Sequence, residues 1–315
     1  MTPSWPTRRQ LLGGGLAIAT LRASGAAAQG APLIVGAGSD PVFSPWFLAA
    51  HEKMFEAAKL GVTVQTFTDG GEAMNSLVAN QIAFAGGAEP TTILRMTRAP
   101  LRPLAVYLQS GTYIKLVARK EITAPDMIRK FGIVPGSVSE YSTGLTLKKY
   151  NMSAASVQFV KSGPPELPAL LVRGDIDAYF VWEPWPSIGV KQGGHILLTS
   201  ADVGYSTQLW VNTSAAWLDK GQNAETAKGI LKVLAPACEI VQHDPPRAAT
   251  AVQAVTKIPP ATTLGLLKEM ECKVRDFTEA DFATYDAIAD FLAERKITPT
   301  RVDYRPSMQR GFYKA

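Results

Sequence analysis

Cysteine and histidine are scarce in this chain: two cysteines, Cys238 and Cys272, and three scattered histidines, His51, His195 and His243, among 315 residues. They form no cluster at a recognisable metal-ligand spacing, so no metal site is expected. No nucleophile, base and orienting group share one local motif, and no carboxylate pair has a spacing that identifies a glycosidase. Binding rather than catalysis is expected, and no cofactor.

Long apolar runs are also missing. Leu11 to Leu21 is the longest near the N-terminus and is too short to span a bilayer. With Arg8 and Arg9 before it and the small residues Ala26 and Ala28 after it, residues 1–28 read as an export signal that is removed in the mature protein. The paired arginines after Thr7 resemble a twin-arginine leader, with an ordinary secretory leader as the alternative. No cysteine lies near the cleavage point, so no lipid anchor is indicated and a free protein in the periplasm is expected.

Excess charge is lacking too. The formal charge is +5, and loss of Arg8, Arg9 and Arg22 with the leader lowers it to about +2. Nucleic acid is therefore not an expected partner. Both cysteines lie in segments whose pattern reads as helical; an exported protein permits a disulfide between them, and two buried thiols are the alternative.

What is present is alternation. From Pro32 the β-rich runs LIVGAG, VTVQTF and IAFAGG alternate with the helical patterns PWFLAAHEKMFEAAK, GEAMNSLVAN and PTTILRMTR. A second series runs FGIVPG, SEYSTGLTLKKYN, VQFVKS, PELPALLVRG, DAYFVWE, PWPSIGVKQ and HILLTS. The pattern predicts an α/β protein with two mostly parallel sheets flanked by helices. Residues 101–120 read as an outgoing crossover and 205–215 as its return, followed by a helical C-terminal region that covers the first lobe. The expected division is 29–113 with 206–315 as lobe 1, and 114–205 as lobe 2.

The two series align without a gap at one place, LVANQIAFAGGAEP (77–90) on LVRGDIDAYFVWEP (171–184), with Leu, Val, Ile, Glu and Pro coincident. Average residue usage gives about one identity in such a stretch. Duplication and convergence on one helix, strand, helix pattern both account for it.

In open parallel sheets, ligands sit beyond the carboxyl ends of strands, where helix N–H groups point outward. The junctions here are GSDPVFSPW, TDGGE and GGAEPTT in the first lobe, and PGSVSEYS, SGPPE and WEPW in the second. Helix capping alone explains their Ser, Thr, Gly and acidic residues, but not their large rings. The candidate ligand-binding residues are Ser39, Asp40, Phe43, Trp46, Asp69, Gly70, Gly87 and Glu89 in the first lobe. Gly136, Ser137, Ser139, Tyr141, Trp182, Glu183, Trp185 and Tyr205 complete the set. GSVSEYSTG is the strongest anion candidate: Gly136 permits close backbone approach, and Ser137 and Ser139 offer hydroxyls at a helix start. Glu183 itself reads as a cap of the following helix, which leaves Trp182 and Trp185 for recognition.

With these features the chain resembles the periplasmic solute-binding proteins of ABC importers, of type II, in the group for nitrate, sulfonates, taurine and thiamine pyrimidine precursors. LLVRGDIDAYFVWEP carries the resemblance through Gly174, Asp177, Glu183 and Pro184, whereas the first lobe has Asn80 and Ala83 where the group shows Gly and Asp. The resemblance implies a monomer whose two lobes close over one small molecule and dock on a membrane permease with its ATPase. A sulfonate-type organic anion would use the serines and helix N-termini; a flat heteroaromatic, such as a pyrimidine, would use rings and carboxylates. Asp40, Asp69, Glu72, Glu89 and Glu183 argue against a bare anion if they face the cleft. An enzyme similar to thiamine-pyrimidine synthase would need a cysteine-rich motif, which is not found.

Overall fold

The computed structural model describes Met1 and residues 32–314, so apart from Met1 the leader read from residues 1–28 lies outside the described residues. β1 (Leu33–Gly38), α1 (Ser44–His51), α2 (Met54–Ala57), β2 (Val62–Phe67), α3 (Gly70–Val78), β3 (Phe84–Ala88) and α4 (Glu89–Arg95) form the first series. β4 (Leu101–Ser110) and β5 (Lys115–Ala118) lead into β6 (Lys130–Ile133), α5 (Val138–Lys149), β7 (Gln158–Lys161), α6 (Leu167–Arg173), β8 (Ala178–Val181), α7 (Trp185–Lys191) and β9 (His195–Thr199). β10 (Thr207–Ser214) is followed by α8 (Ala215–Leu218), α9 (Asn223–His243), α10 (Pro245–Thr256), α11 (Pro260–Leu267), β11 (Glu271–Arg275) and α12 (Glu279–Glu294).

Local chemistry sets the boundaries. Asp69 caps α3 by accepting the Glu72 N–H at 2.9 Å, and Glu72 reaches back to the Thr68 N–H at 3.1 Å. α6 stops at Gly174 in the left-handed region, and the equivalent place after α3 holds Asn80 at φ 56°, a residue that tolerates this conformation. A reciprocal box between Thr278 and Asp281 starts α12.

The strands form a six-stranded sheet, β11-β4-β10-β3-β1-β2, and a five-stranded sheet, β7-β6-β8-β5-β9. The α/β class and the two-sheet plan are as expected, but each sheet is mixed. β1 is parallel to β2 and β3, and β6 to β7 and β8, whereas β4, β5 and β10 pair antiparallel with their neighbours. The cause is the connection itself. The chain leaves the first sheet at Ser110 and re-enters it at Thr207, which pairs directly with Ser110, so departure and return occupy one end of the sheet. Strands joined through the same end must run in opposite directions.

The tail departs from its expected character at two points. ECKV is not helical: Glu271–Arg275 is an edge strand on β4, so Cys272 lies in a strand and only Cys238, in α9, is helical. Both cysteines are free and buried, and burial with Cys238 alongside pushes the Cys272 thiol up. α9 packs on β11, and α9 and α10 pack on α1; α12 touches both α4 and α5, so the tail reaches elements of both series.

β10 is buried along all eight residues. Its Trp210 meets Tyr285 edge-on at 4.7 Å and Phe277 at 5.7 Å, locking α12 to the first sheet. Each fully buried large apolar side chain contributes on the order of 2–3 kcal/mol, so this ring cluster fixes the tail more firmly than its surface ion pairs do.

Candidate functional site

The carboxyl ends of β1 and β3 and of β6 and β8 meet around a cavity of ≈210 Å³. At about 30 Å³ per liquid water this is room for some seven waters, so it suits a small solute. Eight of the sixteen residues expected from sequence line it: Asp40, Phe43, Asp69, Gly70, Gly87, Gly136, Ser137 and Trp182. Tyr113, between β4 and β5, and Thr207 and Leu209 of β10 line it as well.

Asp40 follows β1 and caps the short turn Pro41–Phe43 through the Val42 N–H at 3.1 Å. Tyr113 donates its hydroxyl to the same Oδ1 at 3.0 Å. Burial raises the Asp40 pKa to about 7, opposed by those two hydrogen bonds and reinforced by Asp69. The carboxyl is thus poised between acid and carboxylate near neutral pH.

Phe43 lies against backbone that only glycine allows so near. A Cβ on Gly38 or Gly86 would meet its ring at 2.6 or 2.7 Å. Gly136 has φ +64°, and its Cβ position is filled by the Leu94 side chain of α4. Close approach at Gly136 therefore seats one series against the other, with the Thr91 hydroxyl donating to the Gly136 carbonyl at 3.4 Å.

The residue missed by sequence reading is Arg95, at the end of α4. Its guanidinium donates to Asn75 Oδ1 at 2.9 Å, the Gly71 carbonyl at 3.0 Å and the Thr91 carbonyl at 3.1 Å, all neutral acceptors. Burial and the neighbouring Arg98 lower its pKa to about 10, with Asp69 acting the other way, so it remains a cation at neutral pH. Basic residues in a last helical turn are ordinary complements of the helix dipole, so the sequence offers no signal that this one lines a cavity.

The serines are committed elsewhere. Ser137 Oγ donates to the Val134 carbonyl at 2.7 Å and accepts the Ser139 N–H at 3.1 Å, while Ser139 Oγ is buried and accepts the Val134 N–H at 3.0 Å. They shape the start of α5, where Ser137 and Val138 line the cavity.

The other expected residues lie off the cavity lining. Trp46 is fully buried between Phe55 and Tyr107. Tyr205 packs edge-on against Tyr141 at 5.0 Å and donates to Glu89 Oε2 at 2.9 Å, which also accepts from Thr207 Oγ1 at 3.1 Å. Glu183 pairs with Lys115 at 2.9 Å and accepts the Ser187 N–H of α7 at 3.2 Å. Trp185 starts α7 and packs with the smaller core cluster around Tyr179; Ser139 and the half-buried Ser39 complete the group.

Residues 26–256 match the NMT1-like family. The taurine-binding periplasmic protein of Escherichia coli (strain K12) is 28% identical over 184 residues, 57% of this chain and 56% of that protein, so the match spans about half of that relative's length. The alkanesulfonate-binding protein SsuA from Xanthomonas axonopodis pv. citri, bound to MOPS, superposes with a TM-score of 0.78 at 17% identity, covering 90% of this chain and 99% of that one. The desulfurization enzyme DSZB superposes with a TM-score of 0.64 at 14% identity, covering 90% and 97%. One fold thus serves binding and catalysis alike. From the two mixed sheets, the cavity between their strand ends and the match over residues 26–256, this chain belongs to the NMT1-like family and has the fold of the periplasmic binding proteins.

Proposed function

We propose that this protein is the periplasmic solute-binding component of an ABC importer. In this reading it works as a monomer without turnover, capturing a small sulfonate-type organic anion and delivering it to a membrane permease driven by an ATPase. The observation that carries the reading is Arg95, a partly buried guanidinium on the cavity wall held only by neutral acceptors. A sulfonate keeps its charge at any ordinary pH and would supply the missing counter-charge by charge-assisted hydrogen bonds.

Of the five acids that tell against an anion, Asp40, Asp69 and Glu72 line the cavity and Glu89 and Glu183 do not, and each has a partner within the fold. Asp69 and Glu72 serve the start of α3, where a helix favours negative charge. Glu89 and Glu183 are bound by Tyr205, Thr207 and Lys115 off the cavity lining. The taurine-binding and alkanesulfonate-binding relatives support the same solute class.

A second reading, a flat heteroaromatic such as a pyrimidine, draws on Phe43, Trp182 and the poised carboxyl of Asp40 around one cavity. A thermal-shift screen of alkanesulfonates, taurine, nitrate, aromatic carboxylates and pyrimidines decides between them. At 100 times Kd a ligand stabilises the fold by about 2.7 kcal/mol. Shifts confined to pyrimidines would replace the first reading with the second, and product formed from any hit would overturn the binding-protein reading.

A further inference from the structure

We propose that the groove adjoining Arg95 is a steering vestibule that draws anionic solutes toward the cavity; the inference rests on the anion reading above. This second hollow, of ≈560 Å³, shares Asn75, Arg95, Pro135 and Gly136 with the cavity, so Arg95 borders both. Its wall gathers Arg98 from the turn after α4, Lys161 from the end of β7, and Arg295 and Lys296 from the end of α12. With Arg95 these make five cations on one lining, against the single carboxylate of Glu140.

Glu140 offsets only one of the five charges and pairs with none of the cations; it accepts the Gly136 N–H at 2.7 Å. None of the five cations is in an ion pair with a carboxylate among the described residues, although many other basic side chains are. Arg295 is held in place over the Phe159 ring at 5.1 Å, across from α12 to β7. Like charges repel, so such a cluster costs stability unless an anion visits it. A concave hollow with protein walls also concentrates the field of its charges and raises the encounter rate of an oppositely charged ligand by 10- to 1000-fold. Arg95 belongs to both linings, so it stands between this field and the small cavity.

The test uses the mature protein and propanesulfonate as probe, with stopped-flow tryptophan fluorescence, since Trp182 lines the cavity. The combined variant Arg98→Gln/Lys161→Gln/Arg295→Gln/Lys296→Gln is expected to lose about tenfold in association rate at low ionic strength, with the dissociation rate unchanged and no loss of Tm. At 1 M salt, where the screening length is about 3 Å, the difference disappears. A triple variant that keeps Arg295, and with it the Phe159 contact, shows the same effect in reduced size. An association rate within twofold of the unaltered protein, or a loss expressed in dissociation, overturns the vestibule. Arg95→Ala in the same assay separates the two readings. If it abolishes binding while the combined variant associates normally, the vestibule alone fails; if the unaltered protein binds no propanesulfonate, both fail.

Discussion

Glu183 and Lys115 form an ion pair at 2.9 Å, and Lys115 also lies 2.9 Å from Glu269 between α11 and β11. Burial alone would lower the lysine pKa, but Glu183 and Glu269 outweigh it and hold the group above its ordinary value. The matching glutamate of the first series, Glu89, is held by Tyr205 and Thr207. Each of the two aligned glutamates is thus gripped by a segment that links the sheets: Lys115 on the outgoing β5, Tyr205 and Thr207 at the start of the return. Lys115→Met strands a buried carboxylate and should cost about 3–5 kcal/mol in denaturant unfolding, part of which Lys115→Met/Glu183→Gln recovers. Equal loss in the single and double variants would show that the pair is not the source.

Arg95→Ala should weaken sulfonate binding by tenfold or more, since a hydrogen bond to a charged group contributes about 1.5–3 kcal/mol. Arg95→Lys should retain part of the affinity, because it keeps the charge but not the fork. Calorimetric titration measures both, and an unchanged Kd in the alanine variant would remove Arg95 from the site.

Asp40 lines the cavity and uses Oδ1 for both of its hydrogen bonds, leaving Oδ2 free to accept from a ligand. Asp40→Asn should therefore weaken binding of an amino-sulfonate such as taurine more than that of an alkanesulfonate without an amine. The discrimination ratio between the two probes is the readout, and a ratio that does not move places the amine elsewhere.

Glu89 is buried, and burial raises its pKa from 4.5 to about 8 against the hydrogen bonds that lower it. The folded state then holds a proton that the unfolded state releases, so stability falls as pH rises from about 4.5 to about 8 and levels off above. Glu89→Gln removes this slope: its Tm relative to the unaltered protein should rise between pH 5 and pH 8.5. A Tm difference that is the same at both pH values would mean that Glu89 titrates normally.

Trp182 is half-buried on the cavity wall beside the smaller core cluster, whereas Trp185 lies off the lining. Trp182→Ala should raise Kd for aromatic sulfonates more than for short alkanesulfonates, as expected of a stacking surface. Trp185→Ala should change stability and leave both Kd values alone. Indifference of every Kd to Trp182→Ala would assign that ring to packing only.

Much of this protein was legible in its residues, because alternation of apolar periods reflects which faces each segment must bury. LIVGAG and VTVQTF match β1 and β2 residue for residue, and the two linking segments fall where the sheets exchange the chain. The junction motifs located the cavity, since helix starts and strand ends obey local rules of capping and turn chemistry. Strand direction was not local: the antiparallel pairing of β4 and β10 depends on where the chain comes back, and β11 becomes a strand only because β4 offers it an edge. Nor was the use of each side chain at a junction. Ser139 and Glu89 have the residue types of ligand-binding groups, yet their hydrogen bonds are taken by neighbours that the fold supplies. Arg95 reads as an ordinary end-of-helix cation. Only the packing of α3 and α4 against the start of α5 gives it neutral partners and a cavity to face, because burial and counter-charge are set by segments distant in the chain.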